Sequence, residues 1–186
     1  AISPELNGNG QVVYGSNNWP TSIYSGNEDY IFIKKYEVAS GRVFTTKEIK
    51  SAAKVCLIGQ TVIENVFGDE DPIGKIIRFN KIPFTVIGTL TEKGDNTFGQ
   101  DQDDMILAPY TTVMKRIYRQ TYLKAIVLSA KSEDTIDATS AEVTALLRTS
   151  HKLKDTEEDD FELKTQEELI SNFSSVSEMM LVLLGS

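Results

Sequence analysis

Short apolar runs separated by polar turns dominate the pattern between residues 53 and 110. Runs of four apolar residues bounded by glycine and proline are typical of buried strands, whereas apolar residues three and four apart favour a helix. Just upstream, Thr45 or Thr46 can cap a helix over 47–52, with Glu48 near the reciprocal position of a capping box. The elements predicted in the middle of the chain are a strand at 55–58, a helix at 60–67, strands at 76–79 and 83–90 joined at 80–81, a strand at 105–108, and a helix from 111 or 112 to 118.

The N-terminal region gives a weaker pattern. Residues 1–9 are rich in proline, glycine and asparagine, so we expect them to be irregular. Short strands at 11–15 and 22–24 flank a turn-like cluster at 17–20, which favours a hairpin. The aromatic and β-branched run at 30–36 fits either a strand or a helix.

In the last third of the chain, strand-like and helix-like patterns alternate over longer segments. A strand at 123–130, a helix at 132–146 and a strand at 161–165 after an acidic loop are predicted to form a complete βαβ unit. Beyond it, residues 167–184 keep helical spacing and become apolar on all sides. The final apolar run at 179–184 favours the start of a transmembrane helix over a buried terminal helix.

Composition and charge narrow the function classes. The chain has 186 residues, 40% of them hydrophobic and 25% charged, which is typical of a globular protein with a real core. A net charge of -8 without a basic stripe argues against a nucleic-acid partner. Cys56, in an apolar run, and His151, in a charged stretch, are the only cysteine and histidine, so a disulfide framework, a Cys/His zinc site and a histidine-based triad are not expected. Phosphate-binding glycine motifs are absent too, and no catalytic, cofactor-binding or metal-binding residue is predicted.

Two polar segments remain as candidates for binding. The loop at 95–104 is acidic and could offer oxygen ligands to calcium. Its spacing does not match a helix-loop-helix calcium site and no glutamate closes it, so a solvated loop or a partner-contact surface is favoured over calcium. The turn at 69–74 contains Pro72, which fixes φ, and Gly74, which can take a positive φ.

Five segments of the chain have a specific order and spacing when they are taken together. They are LIG at 57–59, VFGDEDPIGK at 66–75, IPFTVIG at 82–88, FGQDQDD at 98–104 and APYTT at 108–112. In this order they resemble the extracytoplasmic domain of MacB-type ABC transporter permeases. The resemblance is strongest over residues 35–120, and the predicted elements downstream extend it to most of the chain.

The resemblance implies an α+β fold with two parts. A porter-like βαβ subdomain, here residues 1–26 and 122–178, would be interrupted by an inserted mixed α/β subdomain of the Sabre type, here residues 27–121. The porter-like part would lack a first strand and helix at its N-terminus. Residues 179–186 would begin a transmembrane helix that is cut short.

The resemblance also implies a mechanical role in a protein of the cytoplasmic (inner) membrane. This domain, on the periplasmic or extracellular side, would not be an enzyme and would need no cofactor. It would transmit ATP-driven motion and contact an adaptor or cargo, for export or for lipoprotein extraction. Its partners would be a nucleotide-binding ATPase subunit or domain, its own transmembrane helices, and a possible periplasmic adaptor and outer-membrane duct, but no nucleic acid.

The motif residues are expected to be structural or to face a partner. They are Gly68, Asp71, Pro72, Gly74, Gly99, Gln100, Asp101 and Asp103. The alternative function, from a different class, is a stand-alone solute-binding or calcium-binding α+β domain. Calcium in the 95–104 loop would distinguish the two.

Overall fold

The computed structural model describes residues 1–96 and 99–171, which contacts group into two compact units divided after Ser129. The described part of the first unit contains eight strands and four α-helices, the last continuing as a π-helix. They are β1 (Ile2–Tyr14), β2 (Asn17–Gly26), α1 (Asp29–Ile33), β3 (Val38–Gly41), α2 (Thr46–Lys50), β4 (Val55–Ile58), α3 (Gln60–Val66), β5 (Ile76–Phe79), β6 (Ile82–Leu90), β7 (Met105–Pro109), α4 (Tyr110–Thr112) with its π-helix (Val113–Tyr118), and β8 (Ala125–Leu128).

The sheet of the first unit closes on itself. Its strand order is β2-β7-β4-β6-β5-β1-β8, and β1 also pairs with β2, so six of the strands form a ring. Strand β1 changes partner along its length: Ile2 to Glu5 pair with β8, whereas Leu6 to Tyr14 pair with β2. One strand therefore joins the ring to the β8 edge.

Apolar side chains from the strands and from α3 fill the core of the first unit. The central cluster includes Val12, Ile58 and Phe84, each fully buried, with Val62 and Val66 contributed by α3. A second cluster gathers Tyr30, Phe44 and Leu107 beside it. Burying these apolar surfaces is the main source of stability for such a core. Burial also raises the pKa of the Cys56 thiol, which lies in the central cluster.

Most elements predicted for the middle of the chain are confirmed. The hairpin turns at Asn80 and Lys81, both with positive φ. The capping box is present, because Thr45 accepts a hydrogen bond from Glu48 N and the Glu48 carboxylate accepts one from Thr45 N. Arg42 holds the same carboxylate and lowers the pKa of Glu48 to about 2. The ambiguous run at 30–36 contains a helix, α1.

The predicted N-terminal hairpin is confirmed, because β1 and β2 pair antiparallel, but the prediction for its first residues and its turn is wrong. Residues 1–9 are not irregular, because β1 already begins at Ile2, and the turn lies at 15–16 with Gly15 at a φ of 58°, while residues 17–20 belong to β2. Two glycines of β1 have a packing role instead. A Cβ at Gly8 would overlap the Tyr118 hydroxyl, and one at Gly10 would overlap the Phe79 ring.

The second unit contains one long helix in its described part. A 3₁₀ turn (Glu133–Thr135) leads into α5 (Ile136–His151), which confirms the predicted helix with a later end. Arg148 near the end of α5 hydrogen-bonds to Asp159 and to the carbonyl oxygens of Lys154 and Glu157, so it fixes the acidic loop that follows.

The predicted strand at 161–165 is wrong, and with it the complete βαβ unit. Its side chains alternate between half-buried and exposed, but the backbone is assigned to no strand. The alternation of apolar and polar residues indicates only which side chains are covered. A strand also needs a neighbouring strand with which to form backbone hydrogen bonds, and the alternation does not supply one. Thr165 and Glu168 then form a capping box for a helix at 166–171.

The predicted helix at 167–184 is confirmed only as far as residue 171. Residues 172–186, including the run assigned to a transmembrane helix, lie outside the described residues. Within the described ranges, no helix has the length and hydropathy needed to cross a membrane.

Candidate functional site

Asp103 anchors the acidic loop between β6 and β7. The residue is 4% exposed, and its carboxylate accepts hydrogen bonds from Lys93 N at 3.0 Å to each oxygen and from Gly94 N at 2.7 Å. A carboxylate that accepts backbone N–H groups away from water makes stronger bonds than a neutral acceptor would. One side chain therefore closes the loop between Lys93 and Asp103, which are ten positions apart in the sequence.

Asp101 connects the loop to helix α3. One carboxylate oxygen accepts a hydrogen bond from the Thr61 hydroxyl at 2.6 Å, and the other accepts one from Asp103 N at 2.7 Å. At the start of the same helix, Gly59 N donates to the Met105 carbonyl at 2.9 Å. A Cβ at Gly59 would overlap the Asp103 carbonyl oxygen, so this glycine is what allows the loop to approach α3.

The rest of the loop is organised by short contacts of its own. Gly99 has a φ of 72°, and Gln100 N donates to the Asn96 side chain at 3.0 Å. Asp104 accepts a hydrogen bond from Trp19 Nε1 of β2 at 3.0 Å. Gln100 and Asp101 are exposed, so the described outer part of the loop can be reached by a partner.

The turn at 68–74 is held mainly by its backbone. Gly68 and Gly74 have φ of 60° and 78°, and a Cβ at either would meet open space. Asp71 accepts a hydrogen bond from Ile73 N at 3.0 Å, Pro72 is buried, and Gly74 N donates to the Val86 carbonyl at 2.8 Å. The turn is thereby joined to β6.

An exposed ion pair lies beside this turn. Lys75 binds the Glu70 carboxylate, which also accepts a hydrogen bond from the Tyr14 hydroxyl at 3.0 Å. These two hydrogen bonds, that of Lys75 first, lower the pKa of Glu70. The pair joins the turn to the end of β1.

The carboxylates of Asp101, Asp103 and Asp104 accept hydrogen bonds from donors of the protein itself. Across residues 1–96 and 99–171, no group of three or more His, Cys, Asp or Glu side chains is placed to hold a metal ion. The calcium alternative therefore has no cluster of three such side chains behind it in that part of the chain. The sequence interpretation did not identify Asp103 as buried; its only local signal is that it lies two residues before the apolar β7 strand.

Comparison with solved structures defines the class of this fold. The structure of this chain matches the extracellular domain of the noncanonic ABC-type transporter YknZ from Gram-positive bacteria. The TM-score is 0.70 and the identity 23%, over 83% of this chain and 77% of that one. It also matches the periplasmic region of MacB from Actinobacillus actinomycetemcomitans with a TM-score of 0.67 and 25% identity, over 83% and 69% of the two chains. The fold is that of a mixed α/β extracytoplasmic domain of an ABC-type transporter.

The profile of the MacB-like periplasmic core domain matches residues 1–146, and the chain belongs to that family. It is 36% identical over 181 residues to the macrolide export ATP-binding/permease protein MacB of Chlorobium luteolum, covering 97% of this chain and 27% of the relative. The corresponding protein of Chlorobaculum tepidum is 36% identical over 179 residues. The chain spans about a quarter of the length of these curated relatives.

These matches confirm the family resemblance that the sequence segments indicated. The finer division into a porter-like part at 1–26 and 122–178 and a Sabre-like part at 27–121 stays a prediction. The proposed roles of the eight motif residues also stay predictions, since the structure gives their geometry and no partner.

Proposed function

We propose that this chain is the extracytoplasmic domain of an ABC permease of the inner membrane, where it transmits ATP-driven motion and contacts an adaptor protein or cargo. The observation that carries the proposal is the family match over residues 1–146, together with relatives that are macrolide export ATP-binding/permease proteins. Since the chain corresponds to 27% of such a relative, ATP hydrolysis would lie on another part or subunit.

The geometry of the first unit supports a mechanical rather than a catalytic role. A closed ring of strands around an apolar core is stiff, because close-packed interiors transmit strain. The acidic loop is attached to this ring at several points and still presents Gln100 and Asp101 to solvent. A stiff body with an exposed, well-anchored loop is suited to contact a partner and to move it.

The first experiment separates ATP hydrolysis from transport in the full-length protein. The whole domain is replaced by a flexible linker, and both ATP hydrolysis and export of a macrolide probe are measured in reconstituted vesicles. We expect hydrolysis to persist and export to be lost. Export at the wild-type rate would show that the domain does not transmit motion to the transport step.

The second experiment tests the exposed loop as a contact surface. Gln100→Arg adds a positive charge at the described outer part of the loop, and Ser40→Arg adds the same charge at an exposed position of β3. We expect Gln100→Arg to lower export with basal hydrolysis unchanged, and Ser40→Arg to change neither. Equal export by both variants would remove the loop from the proposal.

A further inference from the structure

Glu5 lies at the point where β1 changes partner. It is the last β1 residue paired with β8, opposite Ala125, and the next residue, Leu6, is paired with Ser25 of β2. The Glu5 side chain is only 14% exposed, and its carboxylate lies 2.9 Å from Lys34 Nζ, just after α1. This ion pair therefore attaches the junction of β1 to the chain that follows α1.

Polar contacts continue from Lys34 to the acidic loop. The Lys34 carbonyl accepts a hydrogen bond from Lys93 Nζ at 3.1 Å, and Lys93 N donates to the Asp103 carboxylate at 3.0 Å. Asp103 N in turn donates to Asp101, which accepts from Thr61 of α3. We call this series the polar relay. Its members are Glu5, Lys34, Lys93, Asp103, Asp101 and Thr61.

We propose that the polar relay couples the β1–β8 junction to the acidic loop, so that a displacement of the junction changes how tightly the loop is held. The inference rests on the proposed function for its purpose, since it gives the path by which motion from the β8 edge would reach a partner-facing loop. The coupling itself is a property of this domain alone.

Two features of the polar relay explain why a local shift at one end would affect the other end. Lys34 and Lys93 each have a second contact, with their ammonium groups 5.5 Å and 4.4 Å from the ring centres of Tyr30 and Tyr36. Their side chains are thus confined from two directions, and a shift of Lys34 changes the acceptor available to Lys93. Asp103 is buried, so Lys93 N cannot leave it without disturbing the loop that it closes.

Hydrogen exchange of single amides tests the coupling in this chain without nucleotide or membrane. Lys34→Met removes the ion pair with Glu5, and Lys35→Met changes the neighbouring, exposed lysine as a matched control. The reporters are the Gly94 and Asp103 amides at the far end of the relay. We expect exchange there to rise roughly two- to thirty-fold in Lys34→Met, the range typical of coupling between linked residues, and to stay at the wild-type rate in the control. Equal rates in the two variants would overturn the proposal.

A double-mutant cycle distinguishes coupling from general loosening. Glu5→Gln, which keeps the shape of the side chain, and Thr61→Val change the two ends of the relay singly and together, with the buried β4 amides as a reference for global opening. We expect the combined effect on Gly94 exchange to differ from the product of the single effects by at least about two-fold. Multiplicative effects, or equal changes in β4, would overturn the relay. This result is independent of the export experiments, so either proposal can fail while the other stands.

Discussion

The acidic loop and the turn at 68–74 look alike in sequence and are held in different ways. Both combine glycine with several acidic residues. In the loop, the buried carboxylate of Asp103 binds backbone N–H groups, whereas the turn depends on the positive φ of Gly68 and Gly74, and its ion pair is exposed to solvent. The difference shows that an acidic run is structural where one carboxylate is buried and a surface feature where none is.

Removing the carboxylate of Asp103 and removing that of Asp71 should give the largest difference in the free energy of unfolding. Asp103→Ala leaves the N–H groups of Lys93 and Gly94 without their charged acceptor, and we expect it to lower the free energy of unfolding by about 3 kcal/mol. Asp71→Ala removes one exposed hydrogen bond from the turn and should cost less than about 1 kcal/mol. Urea unfolding measures both, and equal losses would contradict the comparison.

Replacing a glycine packed against backbone and replacing one in open space should give a smaller difference in the free energy of unfolding. Gly59→Ala places a Cβ against the Asp103 carbonyl oxygen, where backbone must shift, and should cost about 2 kcal/mol. Gly74→Ala places a Cβ in open space, so only the positive φ opposes it, at about 1 kcal/mol. Thermal melting of the two variants shows which substitution lowers the stability more. A more damaging Gly74→Ala would mean that the loop does not need its close approach to α3.

The exposed ion pair of the turn should matter least. Lys75→Met removes the main cause of the lowered Glu70 pKa. A lowered pKa stabilises the fold above the ordinary value of 4.5, and this contribution is lost as the pH falls through the folded value. Because both side chains are solvated, we expect no measurable change in Tm at pH 7 and physiological salt. A fall in Tm like that of Asp103→Ala would show that the turn also depends on a charge.

Local rules accounted for the parts of the fold that the sequence predicts well. The capping box at Thr45 and Glu48 needs only residues three apart, and the hairpin at Asn80 and Lys81 needs only its own turn. The strand at β4 follows from one apolar run. Each of these elements is specified within a few residues, so no knowledge of distant contacts is required.

Features that depend on distant residues could not be predicted in this way. Gly8 and Gly10 lie inside β1 because Tyr118 and Phe79 pack where a Cβ would be, and no local rule brings those residues together. Asp103 looks solvated in an acidic run until the fold closes the loop over it. At the site, the sequence therefore identified Asp103 as a motif residue, but its burial could not be predicted.

The hydrogen bond between Trp19 and Asp104 has a practical consequence. Trp19 is the only tryptophan of the chain, and its indole is attached to the residue next to the buried anchor. Excitation beyond the absorption of tyrosine therefore gives a fluorescence signal from this one position. The wavelength of its emission maximum can therefore be used, without an added label, to follow the binding of a partner to the loop or the release of the loop.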